Sequence, residues 1–320
     1  CGDANCATPA LNDTQYTALN ADGSLAGWAA TASFATPRET LSAVAYNGYI
    51  YLGGGCSTGS IIGGNCSTTL NDIQYARITS NGTLAAWKVG TSFINPRWIH
   101  GMSVSNGYIY VTGGVSNPPT EYSPIYADGS VGTWNSSVSL PAERYSNNAV
   151  AANGYMYIVA GLYNGSQSAR NDVVYSQIKP AGENGKSIAL TSLPVARANT
   201  ATVVENGYIY SIGGHDNATA YGTVQIAQRN SHGTIGSWTQ SGQVLAPGLA
   251  AAGAAVYNGY LYVVGGATLT GCPVACTAQT QSLVYRAPIA KGSITSAFIS
   301  AGNRTLPGPN AAMGIKAYHG

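Results

Sequence analysis

Four arginines recur at one position of a repeated segment and are the side chains best placed to bind a ligand. They are Arg38, Arg97, Arg144 and Arg197. Two of them directly follow a proline, and the other two stand three residues after one. Because a guanidinium group donates paired hydrogen bonds to a carboxylate, an arc of arginines suits an acidic peptide or an acidic sugar. Alternatively, each arginine ties loops together by bonding to carbonyl groups or to carboxylates such as Glu39 and Glu143.

Three further side chains could add stacking or polar contacts to such a ligand site: Trp98, Tyr163 and His215. Catalytic groups are scarce by comparison. The 4 histidines have no metal-ligand spacing, and 12 acidic residues leave few candidates for paired acid–base chemistry. We therefore predict no catalytic residues, no metal site and no cofactor, and expect that the protein is not an enzyme.

The 6 cysteines fall into three close pairs. The pairs are Cys1 with Cys6, Cys56 with Cys66, and Cys272 with Cys276. An even count in close pairs predicts three disulfides that staple loops, and hence an oxidising, extracellular or cell-surface setting. A metal site at Cys272-Pro-Val-Ala-Cys276 is the alternative, although no second cysteine pair or histidine cluster completes it. Cys1 could instead carry a lipid, which would leave Cys6 unpaired.

Composition excludes several classes of partner. Charged residues make up 8% of the chain and the net charge is +2, which argues against nucleic-acid binding. Apolar runs are short and broken by glycine, so no membrane span is expected. Glycosylation motifs (Asn-x-Ser/Thr) are compatible with a surface glycoprotein. The candidate sites are Asn12, Asn65, Asn81, Asn135, Asn164, Asn217 and Asn303.

The elements that position these residues belong to a repeat with a period of about 50 residues. Each copy has an Asn-Gly turn, then an aromatic strand, then a glycine doublet or a near match. The turns begin at Asn47, Asn106, Asn153, Asn206 and Asn258. Asn-Gly favours a two-residue hairpin turn because both positions adopt positive φ. A repeat of this length built from strand-like segments is typical of a β-propeller, in which each copy forms one blade.

Each blade can be divided into strands A to D. Strand A follows the arginine, the Asn-Gly turn leads to strand B, strand C begins near an Asn-Asp step such as Asn71-Asp72, and strand D carries a tryptophan such as Trp87. These features resemble kelch-type propellers, although the turn before the tryptophan departs from the kelch pattern. The resemblance implies the propeller fold and arginines that contact acidic ligands, as in kelch adaptors. It does not decide activity, since kelch propellers include both adaptors and sugar-active enzymes.

We accordingly expect one all-β domain over residues 1–320, a six-bladed kelch-like propeller. Five blades span about 38–88, 97–135, 144–190, 197–239 and 248–299. The sixth combines 12–29 with 309–320 and so joins both termini. The sequence ends at Tyr318-His319-Gly320, where strand B of that blade is due. Either the polypeptide continues, or another segment fills the gap.

A strand from a neighbouring molecule could fill that gap. Residues 1–10 lie outside the repeat and are the natural donor, although Pro9 and Gly2 weaken their fit to a strand. Donation from one molecule to the next would link subunits head to tail into a filament. This self-association is a hypothesis about the incomplete blade.

The sequence thus predicts an extracellular or surface propeller that serves as a non-catalytic binding or assembly module. A glycan or an acidic ligand would bind on the face formed by the B–C and D–A loops, where loop lengths vary most. The alternative is a carbohydrate-active enzyme, such as a sialic-acid-processing propeller.

Overall fold

The computed structural model describes residues 10–60, 65–146, 148–163, 168–270, 277–310 and 314–317. Regular secondary structure in these residues is entirely β, with no helix. Accordingly, these ranges contain no helix that could cross a membrane. The predicted β-propeller architecture is confirmed.

Five sheets form the blades, and a separate two-stranded sheet precedes them in the chain. The two-stranded sheet pairs β1 (Thr14–Tyr16) with β2 (Ala29–Thr31). Blade 1 has the order β3 (Ser42–Tyr46), β4 (Tyr49–Gly53), β7 (Ile73–Arg77) and β8 (Lys88–Val89), and its B–C loop forms the hairpin β5 (Cys56–Ser60) and β6 (Asn65–Thr69). Blade 2 has the order β9 (Gly101–Ser105), β10 (Tyr108–Thr112), β11 (Glu121–Pro124) and β12 (Asn135–Ser136).

The remaining three blades repeat this order. Blade 3 contains β13 (Asn148–Ala152), β14 (Tyr155–Val159), β17 (Val173–Gln177) and β18 (Ile188–Leu190), with a loop hairpin of β15 (Leu162–Tyr163) and β16 (Ser168–Ala169). Blade 4 contains β19 (Ala201–Glu205), β20 (Tyr208–Ile212), β21 (Val224–Gln228) and β22 (Thr239–Gln240). Blade 5 contains β23 (Gly253–Tyr257), β24 (Tyr260–Val264) and β27 (Val284–Ala290). Strand β27 also pairs with both β28 (Ser293–Ile294) and β29 (Ile299–Ser300). The loop hairpin of this blade consists of β25 (Ala267–Thr270) and β26 (Thr277–Thr280).

The Asn-Gly turns between strands A and B have the geometry predicted from the sequence. In blade 1, φ is +47° at Asn47 and +79° at Gly48, and the equivalent pairs of the other blades are also positive. Both angles match a type I′ turn, whose twist suits the paired strands on either side. The turn therefore sets the register in which Tyr46 pairs with Tyr49.

A second left-handed position, which the sequence does not predict, lies two residues after each arginine position. These residues have φ between +51° and +53° although none is glycine: Thr40, Ile99, Ser146, Asn199 and Ala251. Backbone hydrogen bonds join them from blade to blade, as from the N–H of Ser146 to the carbonyl of Ile99 at 2.9 Å. This chain of bonds holds the innermost ends of the blades in a fixed arc.

The core lies between neighbouring blades. One cluster joins Tyr51 and Ile73 of blade 1 to Met102, Val111 and Trp134 of blade 2, all buried. Indole N–H groups reinforce the same contacts, since Trp134 donates to the carbonyl of Thr91 at 2.7 Å. Each blade thus packs one apolar face on the blade before it and the other on the blade after it.

The predicted number of blades is wrong, because the structure has five and not six. The strands β1 and β2 form only a two-stranded sheet, and residues 314–317, within the predicted segment 309–320, form no strand. A blade requires a strand B between strands A and C. No described residue forms a strand B between residues 314–317 and β1. On that side, neither of these two segments therefore has a strand with which to form backbone hydrogen bonds.

Candidate functional site

The four arginines predicted to bind an acidic ligand are buried, and each is bound within its own blade. Their relative exposure is 3% for Arg38, 0% for Arg97 and Arg144, and 1% for Arg197. Three of them pair with a carboxylate at the start of strand C. Arg38 makes two parallel bonds of 2.7 Å to Asp72. Arg97 and Arg144 pair with Glu121 and Asp172.

Arg197 has a different set of partners. Its Nη1 donates to the carbonyl of Gly213 at 2.9 Å, and its guanidinium lies 4.6 Å from the centre of the Tyr221 ring. That separation is within the range of a cation–π contact. This geometry favours the structural alternative for all four arginines, because a ligand would have to replace existing intramolecular bonds.

Backbone bridges on the loop face explain the burial of the arginines. The residue that follows the arginine pairs with the residue that follows the glycine doublet. Glu39 with Cys56, Tyr145 with Leu162, and Ala198 with His215 are such pairs. The D–A and B–C loops are therefore joined by a backbone bridge next to Arg38, Arg144 and Arg197.

Two of the carboxylates that meet the arginines, Asp72 and Asp172, are held in the charged form. Burial raises the pKa of Asp72, but hydrogen bonds from Arg38 and Gln74 outweigh it and hold that pKa below the usual 3.8. The pKa of Asp172 is lowered in the same way: burial opposes the shift, and Arg170 and Arg144 produce it. Both sets of bonds favour the ionised carboxylate. The Asn-Asp step at which strand C begins therefore supplies the aspartates that pair with Arg38 and Arg144.

The other predicted ligand residues differ in exposure and belong to three different blades. Trp98 is buried at 7% exposure, whereas Tyr163 is 42% exposed on its hairpin. The half-buried His215 ring lies 3.0 Å from the Nδ2 of Asn199 and accepts a bond of 3.1 Å from the N–H of Asn217. Burial lowers the pKa of His215 below 6.5 and so favours its neutral form.

Of the predicted disulfides, Cys56–Cys66 is formed, with a Cα–Cα distance of 5.7 Å. It closes the β5–β6 hairpin of blade 1. Cys1, Cys6, Cys272 and Cys276 lie outside the described residues. The disulfide is compatible with an oxidising, extracellular compartment.

Four glycosylation candidates are exposed: Asn81, Asn135, Asn217 and Asn303. Asn12 is half-buried, and its Nδ2 donates to the carbonyl of Phe34 at 2.8 Å, so the atom that would carry a glycan is engaged. Asn164 lies outside the described residues, and the structure does not describe the side chain of Asn65. No group of three or more potential metal-ligating side chains occurs in the described part of the chain.

A cavity of about 440 Å³ lies where the circuit of blades passes from blade 5 to blade 1. We call it the slot. Its walls are β1, strands β3 and β4 of blade 1, strands β23 and β24 of blade 5, and residues 314–317. Apolar side chains dominate the lining, among them Ala45, Leu52 and Val264. The slot thus lies where strand B would stand between 314–317 and β1.

Leu19, which follows β1 beside the slot, lacks among the described residues a backbone hydrogen bond that its counterparts make. In blade 1, the N–H of Ile78 at the end of strand C donates to the carbonyl of Gly48 at 2.8 Å. The same bond occurs in the other four blades at 2.7 or 2.8 Å. Leu19 is the counterpart of Ile78, and among the described residues no backbone carbonyl accepts from its N–H.

Side-chain hydrogen bonds nevertheless connect the segment that contains β1 and β2 to blade 5 and to blade 1. Toward blade 5, the hydroxyl of Tyr262 donates to the carbonyl of Gly23 at 2.9 Å. Toward blade 1, the indole of Trp87 donates to the carbonyl of Ala32 at 2.7 Å. Among the described residues, β1 and β2 therefore form a two-stranded sheet that is packed against both neighbouring blades. The copy of the C–D pattern at 12–29, with no strand B before it, is the sequence signal for this site.

Comparison with known proteins supports the fold and no finer assignment. A solved structure described as the structure of YjhT aligns with a TM-score of 0.66 and 13% identity, over 88% of this chain and 89% of that one. Identity this low shows a shared fold alone. No protein family model matches the chain, and no curated protein matches it. The chain is a β-propeller, and its resemblance to the kelch family remains a prediction.

Proposed function

We propose that this chain is a non-catalytic binding or assembly module of the extracellular space or cell surface, and that it binds an extended polypeptide strand in the slot. The edge of β1 beside the cavity, which pairs with no strand among the described residues, is the observation that carries the proposal. An exposed strand edge offers a row of N–H and C=O groups, and strand addition is a recurring mode of peptide recognition.

The slot has apolar walls beside a strand edge, as the site of a strand B requires. Five-residue B strands such as Tyr49–Gly53 pair with a strand on each side in every blade. In the slot, β1 offers the pairing edge on one side, and residues 314–317 follow the other. The apolar walls would bury the side chains of an added strand, which is favourable by roughly 25 cal/mol per Å² of apolar surface.

The carbohydrate-active enzyme remains the second candidate, and no contact favours it. A sugar carboxylate would need several arginines that converge on it. Arg38, Arg97 and Arg144 each point instead to a carboxylate of their own blade. We keep the kelch-type assignment as part of the proposal because the arginine, the glycine doublet and the strand D tryptophan recur in the folded blades.

Peptide binding tests this function. The probe is a labelled synthetic peptide with the sequence of residues 106–114, the turn and strand B of blade 2, and the control is the same composition in scrambled order. We expect the ordered peptide to bind and the scrambled peptide not to bind, as measured by fluorescence anisotropy. Equal binding of both peptides, or of neither, contradicts the proposal.

A variant that fills the slot gives the matching test on the protein side. Ala45 on β3 lines the cavity, so Ala45→Leu places three more carbon atoms in the space that a strand would occupy. We expect weaker peptide binding with an unchanged or raised free energy of unfolding, since filling an apolar cavity adds contacts. Undiminished peptide binding by this variant would place the peptide elsewhere.

A further inference from the structure

Blade 4 differs from blades 1 to 3 in the partner that it supplies to its arginine. Arg38 makes two bonds of 2.7 Å to Asp72, and Arg97 and Arg144 also pair with carboxylates. Arg197 forms no ion pair with any carboxylate of the described residues. It is nevertheless buried like the other three, at 1% exposure. Because a buried charge without a counterion is costly, blade 4 has an unmet electrostatic need.

Thr223 stands in blade 4 where blade 1 has its aspartate. The N–H of Gly54 donates to the carbonyl of Asp72 at 3.2 Å, and the N–H of Gly213 donates to that of Thr223 at 3.1 Å. The hydroxyl of Thr223 lies 3.3 Å from both terminal nitrogens of Arg197, whereas the carboxylate of Asp72 lies 2.7 Å from those of its arginine. A hydroxyl carries no charge, so these long contacts do not neutralise the guanidinium.

Gln225 stands at the second position from which a blade can supply a carboxylate. This position pairs with the fourth residue of strand B. In blade 2 it holds Glu121, the partner of Arg97. In blade 1 it holds Gln74, whose Nε2 donates to the carboxylate of Asp72 at 2.9 Å. Both counterion positions of blade 4 are therefore uncharged, and the second holds an amide of the kind that meets the carboxylate in blade 1.

Buried polar atoms without partners lie at the same place. The side chain of Gln225 is 1% exposed, and its Oε1 accepts no hydrogen bond in the described ranges. The same holds for the hydroxyl of Ser211, which is 0% exposed and pairs with Gln225 across the sheet. The other blades have an apolar residue at the position of Ser211: Leu52, Val111, Ile158 and Val263. Blade 4 thus combines an arginine that lacks a counterion with polar groups that lack partners.

Gln225 can present a donor to an anion without losing its present bond. Its Nε2 now donates to the Oε1 of Gln240 at 3.1 Å. The nitrogen and oxygen of an amide are nearly interchangeable in shape, so both amides can exchange these atoms and keep the bond between them. The Nε2 of Gln225 would then lie where its Oε1 has no partner. In that orientation it would donate to an anion as Gln74 donates to Asp72.

Blade 5 shows how the fold is built when the carboxylate is absent. Backbone bonds from Gly214 and Gly265 identify Leu249 and Leu283 as the counterparts of the arginine and of its counterion. Both leucines pack in one apolar cluster. The fold therefore accepts arginine with an acid in blades 1 to 3, and leucine with leucine in blade 5. Blade 4 follows neither solution, since it keeps the arginine beside an uncharged threonine.

Tyr221 and Asp216 leave part of Arg197 available. The Tyr221 ring covers one face of the guanidinium, with its centre at 4.6 Å, whereas an anion bonds to the N–H groups at the edge. The carboxylate of Asp216 accepts from the Tyr221 hydroxyl at 2.7 Å and from the N–H groups of Ala218 and Thr219. Asp216 is thus engaged within its own loop and forms no ion pair with Arg197 in the described chain.

We propose that blade 4 binds a small free carboxylate anion between Arg197 and Gln225, as a substitute for the aspartate of blades 1 and 3. The anion would replace the long contacts to Thr223, while Arg197 keeps its bond of 2.9 Å to the carbonyl of Gly213. Arg197 therefore remains a structural residue whose counterion comes from solution. The site lies in blade 4, apart from the slot, and does not depend on strand binding.

The position is open to a small ion from solution. The side chains of Asp72 and Asp172 are 24% and 32% exposed, so water reaches the counterion position in blades 1 and 3. In blade 4, Gly222 and Thr223 are also partly exposed. The depth of Arg197, at 1% exposure, favours a compact anion over a bulky one.

Formate, the smallest carboxylate, is the probe. The chain of residues 1–320 is titrated with sodium formate at constant ionic strength, with sodium methanesulfonate as the bulky replacement salt. We expect broadening of the formate proton resonance, with half-saturation at roughly 1–10 mM, as a few charge-assisted hydrogen bonds would give. The midpoint of urea denaturation should rise with formate, because a ligand that binds the folded state stabilises it.

Thr223→Asp supplies the carboxylate from within the chain, at the position of Asp72. This variant should have a higher denaturation midpoint than the parent in the absence of formate. It should also bind formate about tenfold more weakly or worse, since an intramolecular carboxylate competes at high effective concentration. The double variant Arg197→Leu with Thr223→Leu copies Leu249 and Leu283 of blade 5 and should show no response to formate.

Three results would overturn the inference. Equal responses to formate in the parent and in Thr223→Asp would place the anion elsewhere. No response in the parent would mean that Tyr221 and Asp216 suffice for Arg197. Half-saturation by chloride at the same concentration as formate would show that the site does not select a carboxylate. If the double variant fails to fold, the comparison of the parent with Thr223→Asp still decides.

Discussion

The hydroxyl of Tyr51 in blade 1 donates a hydrogen bond of 3.0 Å to the carbonyl of Gly129 in blade 2. Burial of Tyr51 among neighbouring tyrosines raises its pKa well above 10, so the hydroxyl keeps its proton and remains a donor. The tyrosines of strand B thus connect each blade to the next.

Alanine at Gly129 and at Gly82 should have different effects on stability. Both glycines have φ near +82°, so both substitutions carry the same backbone strain, about 1 kcal/mol. At Gly129 the added methyl also overlaps the Tyr49 ring, which should cost about 1–3 kcal/mol more. Chemical denaturation of the two variants measures this difference directly. Equal destabilisation would show that another side chain packs against Gly82, as Tyr49 packs against Gly129.

The buried pair of Arg97 and Glu121 should be more sensitive to loss of one partner than the pair of Arg38 and Asp72. The Arg97 and Glu121 side chains are both 0% exposed, whereas Asp72 is 24% exposed. Glu121→Ala leaves a buried guanidinium without its counterion, which should cost about 3–5 kcal/mol. Asp72→Ala should cost less because Asp72 is partly exposed, so water can take its place beside Arg38. Urea denaturation of both variants checks the order, and a larger loss in Asp72→Ala would contradict it.

His100 should make the protein less stable as the pH falls from 6.5 toward 4.5. Burial, aided by the nearby Arg97 charge, lowers the pKa of His100 to about 3. Between that value and 6.5 the unfolded chain binds a proton that the folded chain does not. Stability therefore declines with falling pH, by about 1.4 kcal/mol per pH unit from this group.

The variant His100→Leu removes this contribution and should give a shallower pH dependence than the parent. Free energies of unfolding at pH 6.5, 5.5 and 4.5 test it. The half-buried His215, whose pKa is also lowered, contributes in the same direction in both proteins, and only the difference between them reports on His100. An identical slope in the two proteins would mean that His100 is protonated in the fold.

Reduction of the Cys56–Cys66 disulfide should loosen one hairpin and leave the propeller folded. The bridge has a sequence separation of 10 and lies within the β5–β6 loop, so its removal chiefly frees a short local segment. We expect faster amide exchange at Thr68 and Thr69, with little change at Tyr51. Global unfolding on reduction would contradict this expectation.

Mass spectrometry of the intact chain tests the two disulfides predicted from sequence alone. Three bridges should lower the mass by about 6 Da relative to the reduced protein, since each removes two hydrogens. Six free thiols would overturn the pairing and the extracellular assignment together.

The blades could be predicted from the sequence because each depends on local signals that repeat. Asn-Gly turns require positive φ, and alternating tyrosines mark strand B, so each copy supports the others. The left-handed positions could not be predicted, since Thr40, Ile99 and Ala251 share no residue type that favours this conformation. Contacts between blades impose it there against local preference.

The candidate site could be predicted only in part. The repeat indicates that no strand B precedes Thr14 in the given sequence. Because it also assigns residues 12–29 and 309–320 to one blade, it leads to the prediction of a sixth blade. The sequence locates the four arginines before strand A, but it does not identify Glu121 and Asp172 as partners of Arg97 and Arg144. Glu121 and Asp172 begin strands that are distant in sequence, so their approach depends on the folded blade.

Amide exchange at Leu19 tests the central claim most directly, because the claim is that an added strand pairs with β1. Hydrogen–deuterium exchange would be measured with and without the peptide of residues 106–114, and Ile78 serves as the internal reference because its N–H is already bonded to Gly48. The account predicts that the peptide slows exchange at Leu19 and leaves Ile78 unchanged. A peptide that binds while Leu19 exchanges at its original rate would contradict it.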